Sequence, residues 1–413
     1  MTAAPPIRTR VCVVGGGPAG IVLAYLLARA GVAVTVLEKH NDFLRDFRGD
    51  TVHPSTMTVL DELGLLDEFL KRPHSQIVEL AGHIGTDTVV VADFRHLPAK
   101  TKFLAIMPQW DFLNFLSEKA RAYSGFTLLM NTEATGVINE DGRITGVGAR
   151  GPAGEVEIRA DVVVACDGRS STLRSALGKT PRDLGAPMDV LWLRVPKRAT
   201  DQNAALGFVG AGAFLVLIDR DDYWQCGFVI AKGSAKRVRA RGLDAFRAEI
   251  AATAPVIADR VNEIKSWDDV KLLTVTVDRL ERWAVPGLLF IGDAAHAMSP
   301  IGGVGINLAI QDAVAAANLL APALRRPGPL DDGVLEAVQR RRTFPTVMTQ
   351  GLQVLIQRRG VSTVLRLKAP PKRAPLILRL LSSIPSFRQI PAYIVGIGFR
   401  PEHVTEYIRR CGQ

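Results

Sequence analysis

Apolar positions along this 413-residue chain fall into two rhythms. Short unbroken runs, "VCVV" (11–14), "VAVTVL" (32–37), "DVVVA" (161–165) and "GLLFI" (287–291), have the length and β-branched content of parallel strands buried on both faces. The first and last are followed by glycines and then by Ala/Leu-rich stretches of helical character, to about Ala30 and through "INLAIQDAVAAANLLAPAL" (306–324). Strand, glycine turn and helix in that order predict an α/β protein with a parallel, Rossmann-like sheet, α+β overall once the rest is counted. Between Pro181 and Asp278 the pattern shifts to partial alternation, in "DVLWLRVP", "AALGFVG", "AFLVLID", "YWQCGFVI" and "KLLTVTVDRL". These predict a second sheet, which "TVVVADF" (88–94) joins. From about Pro345 the chain reads as helical, basic and rich in Leu and Pro.

The expected organisation is therefore interleaved. Residues 1–75, 101–180 and 279–345 build a nucleotide-binding domain, 76–100 and 181–278 a β-sheet substrate domain, and 346–413 a C-terminal helical segment.

The most readable motif is "VCVVGGGPAGIVLAYLLARAGVAVTVLEKH" (11–40). Gly15 permits a tight turn, Gly17 lets backbone approach a pyrophosphate, and Gly20 lets helix and strand pack closely. Pro18 and Ala19 open a helix whose unpaired N–H groups and positive end suit that pyrophosphate. Glu38, followed by Lys39, stands 18 residues past Gly20 at the tip of the next strand, where a carboxylate accepts from ribose hydroxyls. An acid there favours FAD or NAD over NADP. "GFVGAG" (207–212) has the wrong spacing for a second fingerprint, so an architecture with two nucleotide domains is not expected.

Composition adds exclusions. With 47% hydrophobic and 22% charged residues the chain can bury a sizeable core. No apolar run reaches the roughly 18 residues of a membrane span. The start, "MTAAPPIRTR", lacks the apolar run of a signal peptide, which makes the cytoplasm the expected compartment. Cys12, Cys166, Cys226 and Cys411 form no CxxC pair, which suits buried inert thiols and argues against a disulfide reductase. The net charge is +10, and the densest basic run, "KGSAKRVRAR" (232–241), has no interleaved aromatic side chain to stack on bases. It reads as a solvated helix start, and no nucleic-acid partner is expected. Lys368, Lys372, Arg373 and Arg379 lie among apolar residues near the C-terminus, yet prolines cut that stretch into short pieces. Packing against the nucleotide domain is favoured there over contact with a membrane surface.

Two further turns end strands in Gly–Asp or Asp–Gly: "ACDGRSSTLR" (165–174) and "GDAAHAMSPIGGVGIN" (292–307). With GGGPAG (15–20) they form an ordered set that resembles the FAD-dependent aromatic hydroxylases, single-component flavoprotein monooxygenases of the para-hydroxybenzoate hydroxylase type. The resemblance frames residues 8 to 345. It implies FAD as cofactor, NAD(P)H and O2 as co-substrates, and no metal. It also implies that an aromatic, polyketide or quinone-like molecule is hydroxylated or epoxidised through a flavin hydroperoxide, by a monomer or homodimer.

By the same resemblance Glu38 is the adenosine-ribose ligand. Arg48 and Gln109 lie against the FAD, and Asp167 serves FAD and NAD(P)H binding. Asp293 takes the ribityl hydroxyls, Pro300 lies beside the isoalloxazine ring, and Gly303, Gly305, Ile306 and Asn307 surround its pyrimidine edge. No side-chain nucleophile is implied. Asp50 and His53 are the candidates for a general base, and His296 reads as part of its turn. Trp192, Phe208, Phe214, Tyr223 and Trp224 are the bulky candidates for a substrate pocket. Two other functions stay open: a flavin-dependent reductase of polyprenyl chains, and a flavin-binding accessory protein without turnover. A halogenase is disfavoured, because "YWQCGFVI" supplies no WxWxIP motif.

Overall fold

Four parallel strands set the frame of a computed structural model that describes residues 5–44, 51–201, 205–326 and 329–411. They are β1 (Ile7–Val14), β2 (Val34–Leu37), β3 (Gly154–Ala165) and β4 (Leu288–Phe290), in the spatial order β4–β3–β1–β2, with Phe126–Leu129 continuing beyond β2. All four residues of Val11–Val14 and all of β2 are buried, as unbroken apolar runs require when helices cover both faces. The register decides where the strands stop. Val14 lies beside Leu37 and Ala165, and Ala165 beside Phe290, so the turns after β1, β2, β3 and β4 emerge at one edge.

Helix α1 (Pro18–Arg29) follows β1, and α2 (Val304–Leu324) follows the turn after β4. The two pack on each other, and Gly292, at φ +59°, lies between them: a Cβ there would stand 3.2 Å from the Ala309 methyl and 3.3 Å from that of Ala19. Segment 301–324 is long and apolar enough to cross a membrane, yet 83% of its most apolar window is buried within the protein, which makes it a core helix.

The second sheet has seven strands, in the order Lys271–Leu273, Met188–Pro196, Tyr223–Ala231, Phe214–Asp219, Ala205–Val209, Glu79–Ile84 and Asp87–Asp93. The early hairpin joins the later strands through a parallel pairing of Glu79–Ile84 with Ala205–Val209, as the pattern of "TVVVADF" leads one to expect. One expectation fails in part. "KLLTVTVDRL" is not one strand: only Lys271–Leu273 pairs with this sheet, while Asp278–Arg279 pairs with Arg182–Asp183 in a separate ribbon.

The C-terminal part meets its expectation in part. Helix α3 (Gly333–Ile356) runs through Pro345 without a break and packs along α2. Beyond it, α4 (Leu376–Ser383) and α5 (Pro385–Gly396) seat on the outermost strand of the second sheet, and the end of α5 also reaches the nucleotide-binding domain, where the Gly396 carbonyl accepts from Ser55 Oγ at 3.0 Å. The last described residues return to the first core through Val404 and Ile408.

One buried carboxylate ties these layers together. Asp312 of α2, fully buried, accepts from His296 Nε2 at 2.6 Å, from the Gly292 N–H at 3.1 Å and from Arg342 Nε of α3 at 2.8 Å. Arg342 in turn lies 3.5 Å from the Glu402 carboxylate. Burial alone would push the Asp312 carboxyl up, and the charges and hydrogen bonds of His296 and Arg342 overcome that and hold it below its ordinary value. A carboxyl depressed in the folded state contributes stability above the unfolded pKa and loses it as pH falls through the folded one. Removing one partner of such a network leaves a buried uncompensated charge. Asp312→Ala is therefore expected to cost about 3–5 kcal/mol in urea unfolding at pH 7. The double change Asp312→Leu with Arg342→Met should cost less than Asp312→Ala, because no charge is then stranded. A double change that costs the sum of the singles would contradict this account.

Candidate functional site

The turns at the shared edge make different demands on their glycines. A Cβ on Gly15, at φ +105°, would stand 2.4 Å from the Cys166 carbonyl oxygen, and one on Gly20 would stand 2.0 Å from the Gly15 carbonyl oxygen. Both positions are closed by the protein itself, so helix and strand can meet only over glycine. Gly17 differs. Its φ is −73°, open to any residue, and a Cβ there would meet nothing within 4 Å. The space in front of Gly17 is kept for something other than the protein.

Donors face the same edge. α1 starts with Pro18 at N1, no side-chain cap and no acidic residue in its first turn, and α2 starts the same way, uncapped and without an acid, behind Gly303 in the left-handed region at φ +63°. The first N–H groups of a helix have no intrahelical partner. Leaving two helix starts uncapped at one edge supplies donors and two positive dipole ends to an anionic or carbonyl-bearing ligand.

The acids at the strand tips are held in place by backbone. Glu38 is buried after β2 and accepts from the Gly16 N–H at 3.0 Å and the His40 N–H at 3.1 Å, with Lys39 exposed beside it. Asp167, after β3, accepts from the Leu173 N–H through Oδ2, while its other oxygen, Oδ1, is buried without a partner. Burial pushes the Asp167 carboxyl up, against the hydrogen bonds from Ser171 and nearby backbone. Asp293, after β4, accepts through Oδ2 from Arg169 Nε at 2.9 Å. Arg169 also reaches the Met298 carbonyl at 3.3 Å, so it bridges the turns after β3 and β4.

The third turn is fastened from behind. Asn307 Oδ1 accepts from Ser55 Oγ at 3.0 Å and Thr56 Oγ1 at 2.8 Å. His53, fully buried, places Nε2 3.1 Å from the Gly303 carbonyl and Nδ1 2.6 Å from the Val395 carbonyl of α5. Burial lowers its pKa, against the pull of the two carbonyls. Both ring nitrogens face backbone carbonyls, and the neutral ring that burial favours gives its one N–H to one of them, so His53 serves as a clamp between α5 and residues 300–307 rather than as a general base. Gly302 and Gly303 both take positive φ, and Gly305 and Ile306 lie in the first turn of α2 beyond Pro300. Gln109 begins the helix Gln109–Ala120, half-buried after Pro108. Arg48 and Asp50 lie outside the described residues.

His296 is fully buried, bonded to Asp312 and packed on the Trp283 ring at 4.8 Å, in keeping with a role inside its turn. The pocket aromatics divide by strand periodicity. Phe208 and Trp224 point into the core on the far face of the second sheet and are not pocket residues. Trp192 and Phe214 point to the opposite face, where they pack with Ile301 of the third turn. Two glycines make room for them: a Cβ on Gly227 would stand 3.0 Å from the Trp192 ring, and one on Gly207 3.3 Å from the Phe214 ring. Tyr223 lies half-buried under the Arg194 guanidinium, 5.0 Å from its ring centroid. Burial pushes the Cys12 thiol up to about 12 and raises those of Cys166 and Cys226, as inert core thiols require.

Sequence reading passed over Arg169, Asp312, Arg342, Ser55 and Thr56. Asp312 carried a signal, since it is the only charged residue in "INLAIQDAVAAANLLAPAL". Nothing distinguished Arg342 from its neighbours Arg340 and Arg341.

This arrangement defines a dinucleotide-binding α/β protein. The space before Gly17, the uncapped helix starts and the unpartnered Asp167 oxygen all fit the polarity of FAD. Comparison with known proteins makes the class specific: residues 8–350 match the FAD binding domain family, and the chain belongs to that family. It is 37% identical over 386 residues to the 6-methylpretetramide 4-monooxygenase of Streptomyces rimosus, covering 93% of this chain and 91% of that one. It is 28% identical over 402 residues to a rifampicin monooxygenase of Streptomyces venezuelae, covering 93% and 77%. In fold it is similar to the OxyS anhydrotetracycline hydroxylase of Streptomyces rimosus, with a TM-score of 0.71 at 22% identity over 94% of this chain and 76% of that one. The resemblance to FAD-dependent aromatic hydroxylases drawn from the three motifs thus holds.

Two substitutions separate the demands of fold and ligand. Gly17→Val should leave the urea midpoint of the flavin-free protein within about 0.5 kcal/mol of wild type and abolish flavin retention on purification. Gly20→Val should lower the midpoint itself. Asp167→Asn should raise the midpoint at pH 7 and have little effect near pH 4, because the raised carboxyl is a cost only where it must ionise. Equal midpoint losses for Gly17→Val and Gly20→Val would show that Gly17 serves packing.

Proposed function

We propose that this protein is a flavoprotein monooxygenase. It holds FAD along the edge where β1, β3 and β4 end, takes electrons from NADH or NADPH, and inserts one atom of O2 into an aromatic or polyketide-derived molecule in the cytoplasm. The observation that carries this reading is the convergence of the three glycine–acid turns on one sheet edge, beneath an apolar face of the second sheet. The names of two relatives, a 6-methylpretetramide 4-monooxygenase and a rifampicin monooxygenase, support the substrate class.

When bound, FAD supplies the electron storage and oxygen activation that no side chain offers. The protein's part is to bind, orient and dry. Glu38 would accept from the adenosine ribose, with Lys39 beside it, and the N–H groups of Gly17 and Ala19 would frame the pyrophosphate, with Pro18 fixing the backbone between them. Gln109 and Asp167 would flank the FAD chain. Asp293 offers Oδ1 to the ribityl hydroxyls while Arg169 holds Oδ2. Pro300 would flank the ring, and Gly303, Gly305, Ile306 and Asn307 would present backbone at its pyrimidine edge. The positive end of α2 at that edge favours negative charge there without reorganisation. Trp192 and Phe214, with Ile301, form an apolar wall that excludes water from the reacting face. In this reading the second sheet is the substrate domain, and chemistry takes place between it and the α2 turn.

The test is isotopic. With NADH or NADPH and a panel of polycyclic phenols, product formed under labelled O2 is expected to carry one labelled oxygen atom. Saturation of an isoprenoid double bond without O2 consumption would support a reductase and overturn the proposal. Asp293→Ala is expected to weaken FAD binding roughly tenfold, the worth of one or two hydrogen bonds to a charged acceptor.

A further inference from the structure

The chain's positive charge is unevenly placed. Between Glu336 and Glu402 there is no Asp or Glu, while twelve of the 51 Lys and Arg lie there, enough to account for the whole +10. Inside this stretch stand the two most exposed large apolar side chains of the described residues, Leu376 (68%) and Ile377 (75%).

The helices α4 and α5 are fixed by their inner sides. The Thr86 N–H donates to the Lys372 carbonyl at 3.1 Å, the Ala374 N–H to Asp87 Oδ2 at 3.0 Å, and the Val90 N–H to Ser382 Oγ at 3.0 Å. Gly85 is required beneath this crossing, since a Cβ would stand 2.2 Å from the Lys372 carbonyl. Leu378 packs inward on Ile84 and Val89, and Ala392 is buried on the inner side of α5. The outward sides are apolar as well. α4 exposes Leu376, Ile377 and Leu380, and α5 exposes Phe387, Ile390 and Tyr393 at helical spacing. Lys368, Lys372, Arg373 and Arg379 flank them, and all four are exposed.

We infer that the α4–α5 face docks on an anionic lipid surface. An outward apolar side anchored from behind and bordered by cations, with Asp87 set behind it on the Ala374 N–H and 3.7 Å from Arg379, matches a layer of apolar chains beneath anionic headgroups. Read locally, the prolines leave pieces too short for such a face. The fold removes that objection, because Pro385 starts α5 and the two short helices present their apolar residues from one anchored unit. Nucleic acid would match the charge but leave the aliphatic residues in water. This inference is independent of the flavin assignment.

Vesicle sedimentation tests it. The purified full-length protein is expected to pellet with phosphatidylglycerol–phosphatidylcholine vesicles and not with phosphatidylcholine alone, and to be released as salt is raised. Leu376→Glu with Ile377→Glu, and separately Lys372→Glu with Arg373→Glu, should each cut the bound fraction at least about tenfold, with flavin content unchanged. Binding that ignores headgroup charge, no binding to either vesicle, or variants that pellet like wild type would overturn it. So would a wild-type dimer that Leu376→Glu with Ile377→Glu converts to monomer, because the face would then belong to a second copy of the chain.

Discussion

The turn after β4, with its share of the ligand edge, leans on a carboxylate buried behind it. Asp312 holds the Gly292 N–H, the His296 ring and the Arg342 guanidinium at once, inside a helix otherwise built from small apolar residues. The turn after β4 must place Asp293 at the edge while passing between α1 and α2, where Gly292 has room for no side chain. A loop packed that tightly cannot satisfy its backbone with water, so the satisfying group must come from within. Asp312 supplies it, and Arg342 together with Glu402 makes the buried charge tolerable. The same residue thus fixes the loop, joins α2 to α3, and orders the last stretch of chain.

The division of labour among the glycines follows from the same crowding. Gly15, Gly20 and Gly292 are dictated by neighbouring atoms of the protein and would be needed with or without a ligand. Gly17 is dictated by nothing in the protein, and it is the position that speaks for a bound group. A fingerprint of several glycines therefore carries two kinds of information, and only the structure separates them.

Much of this was legible in the sequence. Buried parallel strands announce themselves as unbroken apolar runs, and the glycine–acid turns that end them are local in sequence, so β1, β3, β4, α1 and α2 could be placed directly. What escaped depended on tertiary contact. The pairing of Arg169 with Asp293 joins turns 124 residues apart, and Arg342 meets Asp312 across a helix pair. The aromatics of the second sheet were recognised as candidates, but which of them faced the third turn depended on strand register, which puts Trp192 on one face and Trp224 on the other. The seat of α4 and α5 on the second sheet escaped because prolines read locally as breaks, whereas in the fold they start a helix or are carried within one.

The central claim is that one sheet edge holds a flavin dinucleotide, with Glu38 and the α1 turn gripping the adenosine half. Equilibrium dialysis of the flavin-free protein against FAD and FMN tests it most directly, because the two differ only in that half. The account predicts one FAD per chain, with FMN weaker by about a hundredfold or more, as expected when the pyrophosphate and ribose contacts are lost together. Equal affinity for FMN, or no affinity for either, would contradict it.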